Sequence, residues 1–308
     1  MYDLVIIGGG PAGIAAGIYA SRKQLKTVFI TKEWGGQSVV SPDIQNWIGT
    51  PSIPGTELMK TLKTHLEAVA GTTVEIITDA CASGIAKKES GFAITLDNGK
   101  VLEARTLLIT SGARRRKLEV PGAKEFDQKG LTYCASCDGP LFAGQDIAVI
   151  GGGNAGFETA AQLLAYAKSV TLLHHRDEFK ADPVTVQKVL KNPKMKAIMN
   201  ASTTAILGDR FVTGLKYKDM VSGEEKELKV TGVFVEVGLL PNTEFVGELL
   251  ELDEFKRVKI NHKNQRASVL GVWAAGDCAD GLFHQNNIAA GDAIKAVEDI
   301  YNFLHTKQ

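Results

Sequence analysis

The feature that most limits how this chain can fold is a short glycine pattern that occurs twice. Gly8-Gly9-Gly10-Pro11-Ala12-Gly13 follows the apolar run 2–7, and Gly151-Gly152-Gly153-Asn154-Ala155-Gly156 follows the run 146–150. Each copy leads into a helical stretch, 14–23 and 157–168, and then into another strand, 27–31 and 170–173. The first glycine permits a tight turn, the second lets backbone approach a pyrophosphate, and the third lets helix and strand pack closely. Phosphate then sits at the helix N-terminus, where unpaired amides and the helix dipole favour it. One copy could be a chance turn, but two in strand and helix context predict an α/β protein with two dinucleotide-binding folds.

Length agrees with that count, because 308 residues, 44% of them hydrophobic, supply enough apolar side chains for two cores. Lysine plus arginine equals aspartate plus glutamate at 35 each, so no net charge draws the chain to nucleic acid or anionic membrane. No apolar run is long enough to span a bilayer, and Met1-Tyr2-Asp3 enters a strand without a basic-then-apolar leader, so a cytoplasmic location is expected.

Between the repeats lies Tyr133-Cys134-Ala135-Ser136-Cys137-Asp138-Gly139-Pro140. Two cysteines at this spacing can bring their sulfurs within bonding distance on one turn, and Pro140 stops a long helix from running through it. Efficient exchange needs a thiolate and a nearby group to move the proton, which Asp138 can do. Half of a zinc site and a structural disulfide are the competing readings. Zinc would need more ligands, yet Cys81 and Cys278 are isolated and His174-His175 lacks a zinc motif's spacing, so no metal is expected. Four cysteines, two of them so paired, fit a reducing compartment.

Candidate cofactor contacts surround these motifs. Glu33, roughly twenty residues past the first glycines, can accept a bond from a ribose hydroxyl. Gly36, Gln37 and Asn46 lie in a polar loop able to bond a flat heteroaromatic ring, and Gly112 lies in the turn 110–113 after a strand. Asp277, after the predicted strand 271–275, can hold a ribityl or ribose hydroxyl. His284, Gln285 and Asn286 precede the predicted helix 288–303, whose N-terminus would favour a ring that becomes anionic on reduction. Past the second glycines, His174 to Lys180 carries Arg176 and Lys180, which favour the 2′-phosphate of NADPH. Asp177 or Glu178 holding the ribose of NADH is the alternative. Arg114-Arg115-Arg116-Lys117 reads as a solvated linker before Pro121-Gly122, with an acidic docking partner as the other reading.

Taken in order, GGGPAG, GGQ, QNW, TSGA, CASCDG, GGGNAG, HHRDEFK, GLLPN and AAGD resemble the low-molecular-weight thioredoxin reductases over essentially the whole chain. The chain is equally similar to the reductase core of the alkyl hydroperoxide reductase flavoprotein subunit, notably at 132–134, 137–142 and 238–243. The resemblance implies two Rossmann-like domains of three-layer ββα type, the second inserted into the first. An FAD domain would span 1–115 and 246–308, and an NADPH domain carrying the CxxC would span 116–245. It implies FAD at Gly8, Gly10, Pro11, Ala12, Gly13, Glu33, Gly36, Gln37, Asn46, Gly112, Asp277, His284, Gln285 and Asn286. NADPH is implied at Gly151, Gly153, Asn154, Ala155, Gly156, His174, Arg176, Lys180 and Gly238.

Carried over to this chain, Cys137 would face the flavin, Cys134 would be the interchange thiol and Asp138 the proton donor and acceptor. The implied enzyme is an FAD-dependent, NADPH-linked reductase of thioredoxin or a similar redoxin, working as a homodimer. Its inserted domain would rotate about segments near 114–118 and 240–245. His175 stands where those reductases usually carry arginine, and His284-Gln285-Asn286 replaces Arg-Gln-Ala. The thioredoxin-like domain that precedes the hydroperoxide reductase core is not seen, so peroxide chemistry would need a separate redoxin. The alternatives are an NADH-linked reductase feeding a peroxiredoxin, a flavin dithiol oxidase and a ferredoxin-fed reductase, the last two disfavoured by the intact second glycine motif.

Overall fold

The structure is a computed structural model that describes residues 1–41, 44 and 46–306, with the backbone alone for residues 40, 136 and 137. It divides into two compact units, Met1–Arg114 with Leu240–Gln308, and Arg115–Leu239.

In the first unit the run Tyr2–Gly9 lies within a nine-stranded sheet, between the parallel strands Thr27–Trp34 and Val101–Ile109. Val74–Ile77 and Val272–Ala274 extend the parallel set on either side. Side chains alternate across a strand, so an almost continuously apolar strand must be covered on both faces. Leu4 and Ile6 pack with Ile14, Leu66 and Val297 of the helices Pro11–Arg22, Gly55–Ala70 and Asn286–His305. Val5 and Ile7 face Phe92, Ile94 and Leu96 on the other side, where Ala82–Lys88 and Gly91–Leu96 form an antiparallel pair. Sequence reading did not separate out Ala82–Lys88, because its outer half is exposed and lacks an apolar alternation.

The second unit repeats the plan. Five parallel strands stand in the order Met195–Ile198, Ser169–Leu173, Asp146–Ile150, Gly232–Val235, Leu131–Thr132. Ile147 and Val149 face the helices Asn154–Leu163 and Pro183–Leu190 through Phe157, Leu163 and Val189. Ala148 and Ile150 face an antiparallel meander, Ala201–Gly208, Val212–Asp219 and Glu225–Leu228, through Ile206, Val212 and Leu215. Both units are thus three-layer ββα sandwiches, the α/β class expected from the repeated motif.

The helix after each glycine turn starts earlier than the periodicity suggested, at Pro11 and Asn154, because Gly10 and Gly153 serve as extended N-caps and Pro11 suits the first helical position. Residues 240–245, assigned from sequence to the inserted domain, belong to the first unit. There the Asn242 amide N donates to Gly112 O, and its Nδ2 to Ser111 O.

The glycine turns are sterically exacting. A Cβ on Gly13 would stand 1.8 Å from Gly8 O, and one on Gly156 would stand 2.0 Å from Gly151 O. A Cβ on Gly153 meets nothing within 4 Å. Gly156→Ala is therefore expected to lose roughly 1–3 kcal/mol in denaturant unfolding, as overpacked sites do, and Gly153→Ala to stay within about 0.5 kcal/mol of wild type. Equal losses for the two variants would contradict the steric assignment.

Candidate functional site

The C-terminal ends of the parallel strands in the first unit open into a cleft of about 1140 Å³. Of the fourteen residues expected to hold FAD, all but Gly13 line it. Gly13 instead sits tight against Gly8 O. Gly10, Gly36 and Gly112 each present open space where a Cβ would project. The helix at Pro11 has no side-chain cap, so its first amides are free to meet an anion. The residues present fit a dinucleotide.

On the far wall, Asp277 Oδ1 lies 3.3 Å from His284 Nδ1. Asn286 Oδ1 accepts from Ser38 Oγ at 2.8 Å, and Asn46 Nδ2 donates to Gln285 Oε1 at 2.9 Å. Asn287 Nδ2 donates to Asn46 O at 2.6 Å. The loop around residue 46 is thus fastened to the uncapped N-terminus of Asn286–His305, which faces the cleft through Asn286 and Ala289. Sequence reading gave Ser38 and Asn287 no part, since hydrogen bonds across some 240 residues leave no local signature.

In the second unit a smaller pocket of about 290 Å³ is lined by Gly151, Gly152, His174, His175 and Glu236, among others. Gly153 again has open space in front of it. His174 is only 5% exposed and packs under Gly152, whose Cβ would stand 2.5 Å from the ring. Burial, helped by the charges of His175, Arg176 and Lys180, pushes its pKa down, so it forms a neutral floor rather than an outward ligand. Asn154 Oδ1 is already engaged by the Asp182 amide at 2.7 Å. Arg176 and Lys180 are exposed and form no ion pair among the described residues, and Arg176 Nε contacts His175 Nε2 at 3.2 Å. Of the other expected nicotinamide contacts, Ala155 opens the first turn of helix Asn154–Leu163, Gly156 is packed against Gly151, and Gly238 is exposed at φ +101°.

Glu236 escaped the sequence reading because it ends an apolar strand that looks purely structural. Burial pushes its carboxyl above the ordinary range, although Arg115 at 2.8 Å and the Thr159 hydroxyl at 2.9 Å draw it back. The basic run 114–117 is mostly exposed, as expected of a solvated linker, but three of its four cations are partnered. Arg114 bonds Asn242 and Glu244, Arg115 bonds Glu236, and Lys117 bonds Asp127.

The cysteine turn is a four-residue helix, Ala135–Asp138, continued by the 3-10 turn Gly139–Phe142, where the proline-bearing sequence predicted a tight corner. Cys134 is disulfide-bonded, while Cys81 and Cys278 are free. The role expected of Cys137 concerns a side chain outside the described residues. The Asp138 amide closes the turn onto Cys134 O at 3.1 Å. Asp138 Oδ2 is bonded by the Thr132 hydroxyl, which also accepts from the Cys134 amide at 3.2 Å. Tyr133 is held at its carbonyl by Arg115 and at its hydroxyl by the Leu118 amide. The free thiols are poor nucleophiles: burial pushes both pKa values up, and Asp97 raises that of Cys81 further. Among the described residues no cluster could hold a metal ion, and no helix is long and apolar enough to cross a membrane.

Comparison with known proteins follows the same lines. The chain is similar along 98% of its length to the F subunit of the Escherichia coli alkyl hydroperoxide reductase, at 40% identity, and to a Bacillus subtilis protein named NADH dehydrogenase, at 38%. It spans 58% of the length of each. Among solved structures it resembles the thioredoxin reductase of Lactococcus lactis (34% identity, TM-score 0.87) and that of T. acidophilum (36%, 0.85), with 99% of each chain covered. Residues 2–293 match the family pattern for pyridine nucleotide-disulphide oxidoreductases. On this sequence match and the two ββα units that carry it, the chain belongs to the pyridine nucleotide-disulphide oxidoreductase family, as a thioredoxin reductase-like oxidoreductase of the kind that uses a flavin and a nicotinamide nucleotide.

Proposed function

We propose that this chain is an FAD-dependent NADPH:disulfide oxidoreductase that reduces thioredoxin or a similar small redoxin through a Cys134–Cys137 disulfide. The observation that carries this reading is the redox turn: a bonded Cys134 and an adjacent Asp138, in a chain whose other two cysteines are free and hard to ionise. When bound, FAD supplies the two-electron relay between nicotinamide and disulfide. Glu33 and Asp277 would hold its hydroxyl groups, the turn 8–13 its diphosphate, and the helix start at Asn286 would favour the reduced ring. Cys134 then attacks the partner's disulfide as a thiolate, and Asp138 moves the proton. A cytoplasmic homodimer is part of the same proposal, carried over from the resemblance to thioredoxin reductases.

The second unit would bind the nicotinamide nucleotide, with the turn 151–156 at its diphosphate. Support for NADPH lies in Arg176 and Lys180, two exposed cations beyond the strand that ends beside His174. A second reading, NADH as donor and a peroxiredoxin system downstream, draws on His175, which stands in the basic cluster and takes up the Arg176 Nε. The relatives whose names are those of an alkyl hydroperoxide reductase component and of an NADH dehydrogenase favour it too.

Anaerobic titration of the flavin-loaded protein with each nicotinamide separates these readings by the bleaching of flavin absorbance. Faster bleaching by NADPH is expected, and Arg176→Ala should then weaken NADPH roughly tenfold or more, the worth of a charge-assisted bond, while leaving NADH unaffected. Preference for NADH in the wild type would establish the second reading. Cys134→Ser is expected to keep its flavin and its bleaching yet lose disulfide reduction. Loss of the flavin itself in that variant would make the bond structural.

A further inference from the structure

Thr132 is a polar residue only 3% exposed, at the end of the two-residue strand Leu131–Thr132 that pairs with Gly232–Val235. Its hydroxyl stands between the two working groups of the redox turn. The Cys134 amide donates to Thr132 Oγ1 at 3.2 Å, and Oγ1 bonds Asp138 Oδ2. A threonine hydroxyl has one proton to give. With the amide filling one of its lone pairs, that proton is directed to Oδ2, which stays an acceptor. Among the described residues Asp138 Oδ1 is then the oxygen left to carry a mobile proton. The strand fixes Thr132 and the amide N–H fixes its rotor, so the carboxylate is oriented before the disulfide opens.

We infer that Thr132 is a positioning residue for proton transfer at the redox turn, acting through Asp138 by fixing which carboxyl oxygen carries the proton. The inference rests on the disulfide-reductase reading above. In the step concerned, two electrons from the nicotinamide nucleotide enter the disulfide and the S–S bond breaks. The Cys134 sulfur leaves with one electron pair and takes the proton from Asp138 Oδ1, the other sulfur remains a thiolate, and Asp138 becomes a carboxylate that Thr132 already solvates. A half-buried carboxylate without that donor would be harder to form and free to turn.

The test counts thiols in the flavin-loaded protein after anaerobic mixing with NADPH or NADH, acid quench and unfolding. Complete opening of the disulfide raises the count from the two free thiols, Cys81 and Cys278, to the four cysteines of the chain. Thr132→Val should slow this rise about tenfold, and Thr132→Ser, which keeps the hydroxyl, should stay within about twofold of wild type. Asp138→Asn should be slower still, and adding Thr132→Val to it should cost nothing more, since residues acting through one another are not additive. A merely structural threonine would give multiplying losses in the double variant, and that result, or a wild-type rate in Thr132→Val, overturns the inference. Should Thr132→Val fail to retain flavin, Thr132→Ala is put through the same cycle with the same criteria. A wild type whose thiol count does not rise with either nucleotide removes the disulfide-reductase reading itself, and this inference with it.

Discussion

The approach of a helix start to a strand end, made twice with no side chain between, is the contact on which the other features depend. Gly13 lies over Gly8 O and Gly156 over Gly151 O, closer than any Cβ would permit. Gly8 and Gly151 also hold positive φ, 124° and 129°, and a Cβ on either would collide with backbone oxygen of the neighbouring strand, Thr110 O or Glu236 O. These restraints force the helix to begin at the sheet's carboxyl edge with its first amides aimed outward. The cleft of the first unit follows from that placement, because its other walls are strand ends and the start of Asn286–His305 at the same edge.

The cysteine turn is held by a different kind of interaction. Its strand is two residues long and would be a weak anchor alone. What fixes it is a set of contacts from the chain segment that enters the second unit: hydrogen bonds from Arg115 to Tyr133 O and from the Leu118 amide to the Tyr133 hydroxyl, and the Lys117 cation over the Tyr133 ring. Adjacent residues at this crossing are tied to different units, Arg114 to Asn242 and Glu244, Arg115 to Glu236. The residue before Cys134 is thereby fastened to the segment that enters the second unit.

How much of this could be read from the sequence depends on whether the cause was local. The glycine turns were legible because excluding Cβ at fixed intervals leaves its mark in consecutive residues. The continuously apolar strands, covered on both faces, were legible for the same reason. The fate of charges was not. The pairing of Arg114, Arg115 and Lys117 leaves no local mark, because their partners, Asn242, Glu244, Glu236 and Asp127, lie up to 130 residues away. Thr132 reads as an ordinary strand residue, and only the fold brings its hydroxyl to Asp138.

The middle glycine of each turn carries a further constraint that the spacing pattern leaves unspecified. A Cβ on Gly9 would stand 2.2 Å from Thr31 Oγ1, and one on Gly152 would stand 2.5 Å from the His174 ring. Thr31, within Thr27–Trp34, and His174, just past Ser169–Leu173, hold the corresponding place, one residue beyond the parallel pairs Ile7–Ile30 and Ile150–Leu173. Both positions therefore need glycine because of the side chain beneath, whatever ligand lies above. The units differ in what that side chain leaves free. Thr31 is small and turns its hydroxyl to Glu33 O at 2.5 Å, fixing the backbone of the acid at the cleft. His174 is large, neutral and buried, and it fills the floor beside Gly152. Past that strand, Arg176, Asp177, Glu178 and Lys180 are exposed and form no ion pair among the described residues.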